Sequence, residues 1–133
     1  MKIEDIEGIG PVYAKKMIAA GVKTVEGLLK VGATPKGRKE LAEKTEISGA
    51  LILEWVNHAD LYRIKGVAQE YSDLLEEAGV DTVVELSKRV PANLHKKILE
   101  VNEAKKLVRR PPSESMVADW VAQAKDLPRV ITY

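Results

Sequence analysis

The chain has 133 residues, 45% apolar and 31% charged, which suits one globular domain or two small units and argues against disorder. Cysteine is absent, which excludes disulfides and thiolate chemistry, and no apolar run approaches the ~18 residues of a spanning helix. The net charge of +1 is low for a nucleic-acid binder, but it is unevenly spread: residues 8–44 carry eight Lys/Arg against three Glu, 69–85 carry six acids and no base, and 93–112 carry six Lys/Arg against two Glu.

The opening MKIEDIEG lacks the apolar core of a signal peptide, and a soluble, cytoplasmic protein with no membrane partner is expected. There is no Phe, so the core must be aliphatic, with two Trp and four Tyr. At 7–11 the sequence reads EGIGP, two glycines around one isoleucine, ahead of the helical spacing Tyr13, Met17, Ala20. Two readings stand open for that turn. Either Ile9 plugs the core and the glycines only let the chain fold, or the bare N–H groups hold a phosphate. Gly21 stands where a C-cap glycine would end the helix. Thr24 is an N-cap candidate for a short helix ending near Lys30, and Thr34 with Pro35 opens another to about Lys44. Ser48 caps a longer helix over about 49–60, where Trp55 with Leu51, Ile52 and Val56 reads as core.

From Ile64 the pattern starts again. Residues 6–30 align on 64–88 without gaps, and ten of 25 positions are identical, among them Gly8/Gly66, Tyr13/Tyr71, Gly21/Gly79 and Thr24/Thr82. Residues 51–64 echo 116–130, pairing Trp55 with Trp120, so the second copy carries an insertion of about seven residues near 104–110. Ser113 caps the last helix, to about Lys125, and the closing VITY reads as a short extended tail. The expectation is an all-α chain of two tandem units, 1–59 and 60–133, each of about four short helices, related by internal duplication.

The pattern Ile6-x-Gly8-Ile9-Gly10-Pro11-x-x-Ala14-x-x-Met17 resembles the hairpin of the helix-hairpin-helix (SAM-like) superfamily. Over nearly its full length, through EGIGPVYAKKM, ATPKGRKELAEKT, ILEWVNHADL and AGVDTVVEL, the chain also resembles the bacterial family "domain of unknown function 4332". The first resemblance implies a hairpin that grips a DNA phosphate through backbone N–H groups, sometimes with a bound monovalent cation. Gly8, Ile9 and Gly10 match that motif; Lys15 and Lys16 follow one turn later. Lys36, Arg38 and Lys39 crowd one helix start, against its dipole, which suggests a binding role. In the second copy, KGVAQE, Ala68 replaces the second glycine and Glu70 and Asp73 follow, acids that would repel a phosphate, so this hairpin reads as structural. Arg109 and Arg110, with Lys105 and Lys106, form a basic insertion whose reading stays open between a second phosphate patch, a solvated loop and an internal partner for the acids at 70–85. His58 and His95 have no second ligand at metal-site spacing, so no metal is expected, and no catalytic constellation stands out. The sequence therefore reads as a non-enzymatic, sequence-tolerant module for DNA or RNA backbone, or alternatively as a protein-interaction or self-association scaffold.

Overall fold

The computed structural model describes residues 1–133 except Glu7 and Ala68, and of Gln69 only the backbone. The substitution read at Ala68 thus lies outside the described residues. Among those described, all regular elements are helical. A 3-10 turn at Ile3–Asp5 precedes α1 (Pro11–Ala19), α2 (Val25–Gly32), α3 (Pro35–Thr45) and α4 (Gly49–Leu61). Then follow α5 (Gln69–Glu77), α6 (Val83–Ser87), α7 (Pro91–Lys105) and α8 (Glu114–Asp126). None of these helices is long and apolar enough to cross a membrane.

Side-chain caps decide most of the starts. Thr24 Oγ1 accepts from the Gly27 N–H at 2.9 Å, Thr34 from Gly37 at 3.1 Å and Thr82 from Glu85 at 3.2 Å. Ser48 and Ser113 do the same for Leu51 and Met116. Each bond satisfies one of the orphan donors at a helix start, and its loss typically costs ~1 kcal/mol. The stops are also built from backbone bonds. After α1, Gly21 (φ +91°) donates to Ile18 and Val22 to Met17; after α5, Gly79 (φ +93°) donates to Glu76 and Val80 to Leu75. Both are Schellman stops, each sealed by apolar residues, Val22 with Met17 and Val80 with Leu75, all buried.

The chain divides into two compact units, Met1–Asp60 with Val130–Tyr133, and Leu61–Arg129. In the first, the 3-10 turn meets α1 and α2, and α2 packs on α3. Ile3, Met17, Leu28 and Trp55 are each 2% exposed or less. Truncating any of the three aliphatic residues to alanine would cost about 2–5 kcal/mol. The C-terminal tail belongs to this unit. Thr132 N–H donates to the Ala33 carbonyl at 2.8 Å, Tyr133 hydroxyl donates to Asn57 Oδ1 at 3.3 Å, and Ile131 is buried. In the second unit α6 and α7 pack on α8, and α5 packs on α7. Leu74, Leu75, Leu86, Leu94, Ile98 and Trp120 centre its core.

The insertion divides between helix and loop. α7 continues to Lys105, where Lys105 pairs with Glu77, and an irregular stretch then leads to α8.

Candidate nucleic-acid interface

Gly8 sits at φ +90°, in the left-handed region that side chains avoid. That reversal lets the Ile9 N–H donate to the Ile6 carbonyl at 3.1 Å, closing a short turn, while the Ile9 side chain is 5% exposed. The Ile9 side chain therefore does plug the core, and its amide is spent inside the turn. Gly10 follows in extended conformation (φ −81°, ψ −179°) as the N-cap of α1, with no side-chain cap, and Pro11 occupies the first helical position. The first helical bond runs from Ala14 N–H to the Gly10 carbonyl at 2.9 Å. This leaves the N–H groups of Gly8, Gly10, Val12 and Tyr13 with no acceptor among the described residues. Gly8 and Gly10 are exposed, the first turn of α1 holds no acid, and Lys15 and Lys16 are exposed on the next turn.

The second hairpin repeats the turn and differs around it. Gly66 (φ +95°) allows Val67 N–H to donate to the Ile64 carbonyl at 3.2 Å, with Val67 buried. Here α8 takes hold of the backbone: Gln123 Oε1 accepts from the Lys65 N–H at 2.8 Å and its Nε2 donates to the Lys65 carbonyl at 3.0 Å. Glu70 is exposed in the first turn of α5. Behind each turn stands an indole with a tyrosine tilted on it, Tyr13 on Trp55 (centroids 5.1 Å, 58°) and Tyr71 on Trp120 (5.3 Å, 52°). Both indoles are 2% exposed, as the core reading of Trp55 and its pairing with Trp120 expect.

A family model, domain of unknown function (DUF4332), matches residues 7–127. The chain belongs to this family. The match begins at the first hairpin and ends just past α8, so DUF4332 takes in the helices of both units. No curated protein matches the chain, and no solved structure does.

The basic residues at the start of α3 divide. Lys36 and Lys39 are exposed, but Arg38 is only 9% exposed. Its Nη1 donates to the Gly32 carbonyl and its Nη2 to the Thr132 carbonyl, both at 2.8 Å, and its guanidinium lies 5.7 Å from the Tyr133 ring centroid. Arg38 therefore serves as an internal staple between α2 and the tail. A sequence can flag a base at a helix start, but it cannot show that the acceptor waits 94 residues away. Gln123, which clamps the second hairpin, carried no signal in the sequence either. On α2, Glu26 titrates below its ordinary range, held down first by a hydrogen bond from its own backbone N–H and further by the Met1 ammonium at 3.4 Å.

Proposed function

We propose that the chain is a pair of helix-hairpin-helix (SAM-like) units derived by duplication, and that it binds the backbone of a nucleic acid, without catalysis, through the first hairpin. The paired turns, each closed across a left-handed glycine and backed by a Tyr–Trp contact, support the duplicated plan. One observation carries the binding reading. α1 begins with uncapped N–H groups, without a first-turn acid, next to two exposed lysines. Such a helix start offers donors and partial positive charge to an anion, and the small Gly10 lets a phosphate come close. Contacts of this kind read no base edges, so the binding is sequence-tolerant. Lys36 and Lys39 add charge, whereas Arg38 is withdrawn by its internal bonds. A monovalent cation would join at hairpin carbonyls, and exchanging sodium for potassium at fixed ionic strength would then alter the affinity.

The test is a salt titration with fluorescent duplex DNA and single strands. Affinity should fall with salt at roughly 0.9 log units per log unit for each phosphate neutralised on a duplex. Lys15→Glu with Lys16→Glu should remove the binding while the thermal midpoint holds. No binding at low salt, or binding indifferent to that pair of changes, sinks the reading and leaves the protein-interaction scaffold. Light scattering across salt concentrations then tests self-association.

A further inference from the structure

The loop between α7 and α8 is fixed more firmly than a solvated connection requires. Asn102, 9% exposed, donates from Nδ2 to the Val108 carbonyl at 3.1 Å and accepts the Val108 N–H at Oδ1, 3.0 Å. One side chain thus meets both backbone groups of Val108. Further along, the Tyr71 hydroxyl donates to the Arg110 carbonyl at 3.3 Å, and His95 Nε2 lies 3.0 Å from the carbonyl of Pro112, which is buried. The loop enters through Lys106 at φ +51°, a conformation costly for a residue with a side chain, and leaves through two prolines. Held in this way, Lys106, Leu107, Arg109 and Pro111 line an open cleft of about 700 Å³, with Glu103 of α7 also on its wall.

We propose that this cleft docks an acidic segment of a partner protein that also carries an apolar side chain. Charge complementarity names the acid. Among the described residues no carboxylate pairs with Lys106, Arg109 or Arg110, whereas the neighbouring Lys105 is occupied by Glu77. The cleft wall names the apolar group. Leu107 is 39% exposed and lines the cleft together with Pro111 and the two bases, offering a surface that a leucine-like side chain covers and a phosphate chain does not. Glu103 points the same way: it repels an unbroken row of phosphates, while a peptide can space its carboxylates around it. The pinned backbone means that little loop entropy is lost on docking. This site lies wholly in the second unit and stands whether or not the first hairpin binds nucleic acid.

The experiment titrates nitrogen-15-labelled full chain with a short synthetic peptide in which aspartate alternates with leucine, followed by amide shifts. Shifts should concentrate at 102–110, the residues around the loop that carry an amide N–H. Arg109→Glu should weaken the binding at least about tenfold, as reversal of a contacting charge does. Leu107→Ser should weaken it about fivefold with no change in charge, the scale of one partly covered aliphatic side chain. Both residues are exposed, so both variants are expected to fold. The proposal fails if the loop amides do not move. It fails equally if a peptide alternating aspartate with serine binds as well as the leucine peptide, or if duplex DNA moves the same amides at lower concentration.

Discussion

The indole nitrogen of Trp120 lies 3.0 Å from the point where a Cβ would sit on Gly66. In the first unit the matching distance, from Trp55 to Gly8, is 3.5 Å, ordinary van der Waals contact. Both glycines hold a positive φ, so alanine strains either turn by ~1–2 kcal/mol. Only at Gly66 must the indole also give way, which adds ~1 kcal/mol or more. Gly66→Ala is therefore expected to lower the urea midpoint further than Gly8→Ala. Equal losses would mean that the indole moves freely.

Three helix glycines, Gly32 and Gly37 at the α2–α3 corner and Gly49 at the start of α4, differ in the space a Cβ would find. A Cβ on Gly37 would stand 2.0 Å from the Val31 carbonyl oxygen, one on Gly32 would stand 2.3 Å from Val56 Cγ2, and one on Gly49 would meet nothing within 4 Å. A side chain can rotate away where a carbonyl cannot. Gly37→Ala should thus destabilise most, by ~3 kcal/mol, with Gly32→Ala at ~1–3 kcal/mol. Gly49→Ala at the start of α4 should stabilise by ~0.5 kcal/mol, because it restricts the unfolded chain. Thermal melts of the three variants give the order directly.

Features set by neighbours in sequence were legible before the fold was known. Thr24, Thr34, Ser48, Thr82 and Ser113 announce helix starts because a cap acts across three residues, and each makes that bond. Gly21 and Gly79 announce stops for the same reason. What stayed hidden depends on distant partners. Lys36, Arg38 and Lys39 look alike as letters, yet Arg38 turns inward to a tail that only the folded chain brings near. The Ile9 amide looked available because the turn bond to Ile6 depends on the φ of Gly8. Val130–Tyr133, read only as a short extended tail, finds its place through Arg38 and Ala33.

That staple makes a prediction of its own. Arg38→Ala removes two hydrogen bonds from a charged donor in a nearly buried position, an expected cost of ~2–3 kcal/mol. Arg38→Lys should recover less than half of it, since an ammonium lacks the planar fork that reaches both carbonyls. Removing residues 131–133 should overlap with Arg38→Ala, so that the double variant loses clearly less than the sum. Additive losses in urea titrations would show that arginine and tail act separately. In the DNA assay, Arg38→Lys should leave the salt dependence unchanged, while Lys36→Glu with Lys39→Glu should reduce it.

Gly10 offers a way to set stability against binding. Its φ of −81° suits any residue, and no atom stands within 4 Å of a Cβ built there. As the N-cap of α1 it contributes no side-chain acceptor. Gly10→Asp would supply one, accepting from the Val12 or Tyr13 N–H and placing a negative charge at the positive end of the helix. The fold should gain ~0.5 kcal/mol, seen as a raised thermal midpoint. The same carboxylate would occupy the donors assigned to phosphate and repel it, so DNA affinity at low salt should fall at least about tenfold, roughly 1.4 kcal/mol. Gly10→Ala adds a methyl group but neither acceptor nor charge, so it should crowd the phosphate only slightly and weaken binding clearly less than Gly10→Asp. A more stable Gly10→Asp protein that binds DNA as before would place the contact away from the start of α1.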